Sequence, residues 1–371
     1  MKIGVFPMIA GQRGGGVETY ELNLVRNLAA LDQENELRVF CLNNHAAAAF
    51  AFDQPNVKYQ ILWPRTRWVS IPLTLPLAIK RSCVEVVHAT FVPPLHCAVP
   101  LVVTVHDVCM PTHQELYPTS IRWRFDQLVY KRLRSFDQII CPTETTKTQL
   151  LEHYCAHEDR ITVIPEAVDQ HFQRVDGDDL LQILESYGIT QPYLLFSGNL
   201  RVGNKNLIRL LEAFSIFRQR CGSVARLILT GRRSWHSNAL DEAIDRFGLR
   251  KAIIETGWVP PDHVPALYSG ATMLLFPTLC EGFGLPALEA MACGTPVVTS
   301  NISCLPEVTG NAALLVDPFS VADIAEGIIK LFCDEGLQVL LRERGLEWVK
   351  QFSWERTARE TLGVYRRALS S

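Results

Sequence analysis

Two glutamates, Glu281 and Glu289, frame the stretch EGFGLPALE inside CEGFGLPALEAMACGTPVV, residues 280–298. A carboxylate accepts hydrogen bonds from a pair of hydroxyls, so each acid suits a polyol. Between them, Gly282 and Gly284 let the backbone approach a ligand closely, and Pro286 fits the first helical position, where its missing N–H costs nothing. A helix starting there presents unpaired N–H groups, including those of Phe283, Gly284 and Leu285, and a partial positive charge. That is a seat for phosphate. A ligand with hydroxyls on both sides of a phosphate bridge satisfies the whole stretch, and a nucleotide sugar has this layout. The plainer alternative makes Glu289 a partner of the helix dipole and Glu281 an ordinary loop carboxylate.

Other residues have chemistry at the right kind of place. Lys205 follows the strand and loop YLLFSGNLRVGNKN and opens a helix, where its ammonium can meet a diphosphate as a point charge. Gly14, Gly15 and Gly16, in GQRGGGVETYELNL, follow the first strand and would admit a phosphate or sugar. They do not make a dinucleotide fingerprint, because Thr19 stands where the last glycine belongs and the second strand runs into Asn43-Asn44 instead of an acid. This counts against a nicotinamide or flavin oxidoreductase, which stays a rival together with a non-catalytic binding protein and a sugar-nucleotide epimerase. His106 and Asp107 close the apolar run LVVTVH, and His88 closes VEVVH. Each histidine is either a cleft residue or a packed core residue. The segment IRWRFDQLVYKRLRS, 121–135, reads as one basic amphipathic helix, packed on the sheet or laid against a membrane surface, and WPRTRW, 63–68, could join it.

These residues need elements to carry them. Short apolar runs (KIGVF, LRVFCL, VEVVHA, LVVTVH and QIICP, then YLLFSGN, ARLILTG, ATMLLFP, TPVVTS and AALLVD) alternate with helical patterns such as VETYELNLVRNLAALD. Buried strands alternating with helices imply parallel sheets covered on both faces. A chain of 371 residues exceeds one core, and the pattern occurs twice. The expectation is an α/β protein of two doubly wound, Rossmann-like domains facing a cleft: 1–170, a linker at 171–190, 191–352, and a closing helix at 353–371 that returns to the first domain. The acidic DGDD at 176–179 fits no cation cage and reads as a solvated linker or helix start.

Composition narrows the class. A formal net charge of −3 argues against binding nucleic acid through bulk charge. Eleven cysteines without a C-x-x-C pair read as thiols in a reducing compartment, not a disulfide frame or zinc site. No apolar stretch reads as a membrane span or signal peptide, so a cytoplasmic protein is expected, peripheral at the inner membrane face if the basic helix touches lipid.

The stretch EGFGLPALEAMACGTPVV resembles the E-x-F-G-x-x-x-x-E signature of retaining glycosyltransferases of the GT-B fold, family four in particular. GNLRVGNKNLIRLLEAF, GWVPPDHVPALYSGATMLLFPTLCEGFG, NISCLPEVTGNAALLVDP and FSWERTARETLGVYRRAL resemble further family segments, and VIPEAVD resembles its interdomain V-I-P-N-G-V-D. The resemblance implies transfer of a hexose, mannose from GDP-mannose foremost, to a saccharide or lipid-linked acceptor in bacterial surface polysaccharide synthesis. A UDP-glucose or UDP-N-acetylglucosamine donor is the alternative. It implies that Lys205 and Arg201 stabilise the leaving diphosphate without a metal or other cofactor; Arg201 replaces an arginine that relatives carry where this chain has Asn199. Glu281 would hold the sugar, Glu289 the ribose, and His106 the sugar from the first domain. Gly15, Gly16, Asn199, Val259, Phe283, Gly284 and Leu285 would line the donor, with His88 and Asp107 on the acceptor side.

Overall fold

The computed structural model describes residues 1–31, 33–50, 52, 54–154, 156–233 and 237–370. It divides into two compact units, Met1–Glu166 with Ser353–Ser371, and Ala167–Phe352.

The first unit holds seven strands: β1 (Lys2–Phe6), β2 (Glu36–Cys41), β3 (Val57–Ile61), β4 (Val86–Ala89), β5 (Leu101–Thr104), β6 (Gln138–Cys141) and β7 (Ile161–Val163). They pair in parallel in the order β3-β2-β1-β4-β5-β6-β7. The second holds β8 (Tyr193–Ser197), β9 (Arg226–Thr230), β10 (Ile253–Gly257), β11 (Met273–Phe276), β12 (Val297–Ser300) and β13 (Leu314–Val316), parallel in the order β10-β9-β8-β11-β12-β13. Both orders reverse direction once, between β1 and β4 and between β8 and β11. Ligands of such sheets bind past the carboxyl ends of the strands at that reversal.

Central strands form because both faces are apolar. Every residue of β4, β5, β6, β8, β11 and β12 is buried. Truncating one of them, as in Leu274→Ala, should cost about 2–5 kcal/mol through lost transfer energy and the cavity left behind. Three strands, β3, β7 and β10, have no counterpart among the apolar runs read from the sequence. Each lies at a sheet edge and is only partly buried, so it needs no continuous apolar run.

Helices cover the faces. In Leu207–Cys221 the buried Leu207, Leu210, Leu211, Phe214 and Phe217 recur at helical spacing, and Gly222 ends the helix at φ +56°. The closing helix, Trp354–Ser370, packs along Gly16–Leu31 in the first unit. Its Thr357 hydroxyl donates to the Pro165 carbonyl at 2.7 Å. Two sequence expectations change here. Residues 171–190 contain the helix Gly177–Ser186, which packs on Val264–Gly270; Asp178 and Asp179 in its first turn complement the helix dipole, so DGDD is a helix start. The basic segment 121–135 is not one helix. Thr119–Leu128 stops at Val129 (φ −120°, ψ −69°) and a 3-10 helix, Tyr130–Ser135, follows.

Candidate active site

In the Ala167–Phe352 unit the loops that follow β8 and β11, the strands flanking the reversal, meet. Glycine is required at the first. Gly198 has φ +139°, and a Cβ on Gly231 (φ +129°) would lie 2.0 Å from the Gly198 carbonyl oxygen. The same loop carries Asn199 and Arg201, whose N–H donates to the Asn199 carbonyl at 2.8 Å, and then Lys205. The next residue, Asn206, is buried in the left-handed region (φ +57°). Its Nδ2 donates to the Pro277 carbonyl at 2.9 Å and to the Pro318 carbonyl at 2.7 Å. Leu279 N–H donates to the Asn204 carbonyl at 2.8 Å. The Lys205 turn is thereby clamped to the end of β11.

The clamp sets the central contact. Lys205 Nζ lies 2.6 Å from Glu281 Oε1, and the two side chains are 13% and 14% exposed. The same ammonium stands 5.0 Å from the Phe276 ring centroid, a cation–π distance. Glu281 is held by its backbone: its N–H donates to Ser303 Oγ at 3.2 Å, and that hydroxyl donates to the Glu281 carbonyl at 3.0 Å. Beyond it, Gly284 (φ +90°) caps the helix Leu285–Ala292, so Pro286 occupies the second helical position, one later than expected; a Cβ on Gly284 would strike Leu305 at 2.7 Å. Phe283 and Leu285, on either side of Gly284, are buried.

Glu289 stands one turn into that helix. Its Oε2 accepts from the Tyr268 hydroxyl at 2.8 Å. Burial pushes its pKa up to about 7, against the Tyr268 hydrogen bond and the nearby His171, which lower it. Val259 belongs to the hydrophobic core and is 6% exposed, so its side chain is not offered to a donor.

In the first unit, buried polar residues pair with one another. His88 on β4 is 0% exposed. Its Nδ1 pairs with the Tyr365 hydroxyl at 2.8 Å and its Nε2 with Thr104 Oγ1 at 2.7 Å. Burial drops its pKa to about 3, so it is neutral. The acceptor-side expectation for His88 is therefore corrected: a fully buried imidazole with both nitrogens engaged joins the closing helix to the sheet. His106 lies just beyond β5. Burial alone would lower its pKa, but Glu166, the Thr90 carbonyl and Glu21 together raise it. Its Nδ1 pairs with Glu166 Oε1 at 3.1 Å, and its Nε2 donates to the Thr90 carbonyl at 2.9 Å. A direct bond from His106 to a sugar would have to replace one of these. Asp107 Oδ1 accepts from Cys109 N–H at 2.9 Å in a local turn. Gly15 (φ +73°) and Gly16 enter the helix Gly16–Leu31, and Glu18 folds back to accept from Gly11 N–H at 2.7 Å and Gly14 N–H at 2.6 Å.

Sequence reasoning passed over several residues that shape these groups. Asn206 clamps the turn that carries Lys205, and Ser303 and Tyr268 reach Glu281 and Glu289 from other elements. Glu21 is buried, accepts from Thr90 Oγ1 at 2.7 Å and Ile9 N–H at 2.9 Å, and has its pKa pushed up to about 7 by burial. Glu166 left a signal: with Ala167 it is one of the two positions where VIPEAVD departs from V-I-P-N-G-V-D.

Comparison with known proteins places this geometry. Residues 191–334 match the family described as glycosyl transferases group 1, and residues 14–172 match glycosyltransferase family 4. The chain is 29% identical to the O-antigen chain mannosyltransferase B of Escherichia coli, over 95% of this chain and 96% of that protein. It is 28% identical to the serotype-specific mannosyltransferase WbdA of Escherichia coli over 72% of this chain, spanning 33% of that longer protein. The crystal structure of Anabaena Alr3699/HepE in complex with UDP and glucose aligns with a TM-score of 0.78 at 16% identity over 98% of both chains. At that identity the likeness is one of fold, and the fold is GT-B.

Proposed function

The chain belongs to the glycosyltransferases of group 1 and family 4, and from that premise we propose that it transfers mannose from GDP-mannose, with retention of configuration, to a hydroxyl of a growing surface polysaccharide. The observation that carries the site is the Lys205–Glu281 pair at the sheet reversal, beside the start of Leu285–Ala292. The mannosyl donor and the polysaccharide acceptor rest on the resemblance to the two mannosyltransferases.

The chemistry follows from charge. Breaking the bond from the anomeric carbon to the β-phosphate loads negative charge on the departing diphosphate. Lys205, Arg201 and the N–H groups of Phe283, Gly284 and Leu285 stabilise that charge, in place of a metal ion. Without ligand, Lys205 and Glu281 neutralise each other. A bound donor separates them: the diphosphate takes Lys205, and the sugar hydroxyls take Glu281. Glu289 accepts from the ribose hydroxyls, with Tyr268 holding its second oxygen. Retaining glycosidases use a pair of carboxylates about 5 Å apart, and no such partner is assigned to Glu281. Attack comes from the face the diphosphate leaves, and the leaving phosphate takes the acceptor proton.

We place the enzyme at an anionic lipid surface through Trp63, Trp68 and Trp123, which are 79%, 59% and 66% exposed. The Arg124 guanidinium lies over the Trp68 ring at 4.6 Å, joining the two segments. Amphipathic rings beside arginines suit a headgroup layer. Co-sedimentation with anionic vesicles should fall when Trp68 and Trp123 are both changed to Ser; unchanged sedimentation refutes the placement.

The donor reading is tested by offering GDP-mannose, UDP-glucose and UDP-N-acetylglucosamine with an oligomannose acceptor and following product by NMR. An α-linked mannoside formed from GDP-mannose alone is the expected result. Turnover of a UDP sugar in its place, or a β-linked product, overturns the reading.

A further inference from the structure

Away from the candidate site, two helix ends in the Ala167–Phe352 unit bring two thiols together. Helices Leu207–Cys221 and Val321–Cys333 pack side by side. Near their C-terminal ends the Phe217 and Phe332 rings meet edge to face, with centroids 4.9 Å apart, and Arg220 forms an ion pair with Glu326. Each helix finishes in a free cysteine, Cys221 partly buried and Cys333 exposed. Burial raises the pKa of the Cys221 thiol, and the neighbouring Cys333 thiol raises it further. Cys221 is followed by Gly222 (φ +56°), where an added Cβ would meet nothing within 4 Å.

We propose that Cys221 and Cys333 form a reversible dithiol site that closes to a disulfide by exchange with small-molecule disulfides. The exposed Cys333 thiolate attacks one sulfur of the reagent; the reagent S–S bond breaks, a mixed disulfide forms, and one small thiol leaves carrying a proton. The Cys221 thiolate then attacks the Cys333 sulfur and releases the second small thiol, which takes its proton. Two protein thiols are oxidised and one reagent disulfide is reduced to two thiols, so no other oxidant is needed. Closure ties the helix that begins directly after Lys205 and Asn206 to its neighbour at the opposite end. The bond spans a loop of about 110 residues, a length at which cross-linking constrains the unfolded chain strongly.

The test treats the full chain with oxidised glutathione, alkylates what remains and reads the peptides by mass spectrometry. The expected product links the Cys221 and Cys333 peptides with loss of two hydrogens and raises Tm by about 5 °C. The exposed Cys83 serves as an internal control and should give only a mixed disulfide. In Cys221→Ser the glutathione adduct on Cys333 should persist, because its resolving thiol is gone. If wild type keeps that adduct as long as Cys221→Ser does, or if both cysteines stay open to alkylation, the dithiol site is refuted.

Discussion

The two units share a strand order around their reversal points, yet the polar side chains gathered there are in different states. In the first unit they consume one another. His88 spends both nitrogens on Tyr365 and Thr104 and is 0% exposed, and His106 spends both on Glu166 and Thr90. In the second, Lys205 and Glu281 form a single ion pair, 13% and 14% exposed, beside a helix start. A buried imidazole with two short partners cannot take a ligand without breaking the core. A partly exposed ion pair can open, because phosphate and sugar hydroxyls replace each partner's contact in kind. Saturation of partners, more than residue type, separates the structural polar groups from those ready for a ligand.

The sharpest way to break this contrast is Lys205→Ala. By analogy with removal of one oxyanion donor, it should lower turnover by roughly 10²–10³ while leaving Tm within a few degrees. Full turnover in the purified variant would remove Lys205 from the chemistry. The opposite profile is expected for His88→Ala. It strands the Tyr365 hydroxyl beside a cavity, leaves the Thr104 hydroxyl to Tyr20 alone, and should cost about 2–4 kcal/mol in unfolding free energy, with turnover of the folded enzyme within about threefold of wild type. The pH dependence carries a sign. The folded-state pKa of His88 is depressed from 6.5 to about 3, so its contribution to stability is complete above the unfolded value and is lost as pH falls from 6.5 toward 3. Denaturant titrations across that range should show the loss in wild type and a smaller one in His88→Ala. A variant that stayed stable but lost turnover would move His88 into the active site.

Glu289→Gln should have a smaller effect. It keeps the shape and loses a charged acceptor, which should raise KM for the donor about tenfold, or about 1.4 kcal/mol. Its pKa is raised from 4.5 to about 7. Here the stabilising contribution is present below pH 4.5 and is lost as pH rises through 7. Stability measured from pH 4.5 to 8 should therefore decline less in Glu289→Gln than in wild type. An equal decline in both would mean that Glu289 is ionised throughout.

The central strands and the acids of the second unit were legible in sequence because each leaves a local mark: an apolar run for β8 or β11, and a glycine–proline helix entry between Glu281 and Glu289. The edge strands β3, β7 and β10 were not, since a half-exposed edge tolerates polar residues such as the Lys58 and Gln60 of β3. His88 and His106 have the same local context, a histidine closing an apolar run. Only the three-dimensional partners, Tyr365 from 277 positions away and Glu166 from 60, show that both are engaged within the first unit. Asn206 was hidden for a related reason: its left-handed backbone and its two carbonyl partners come from elements far apart in the chain.

The central claim, that Lys205 and the Glu281 loop seat a nucleoside diphosphate, is tested most directly by isothermal titration of GDP into wild type and Lys205→Ala. Wild type should bind, and the variant should bind at least about tenfold more weakly at low salt, the loss of one charge-assisted contact. Equal affinity in the two proteins would contradict the claim.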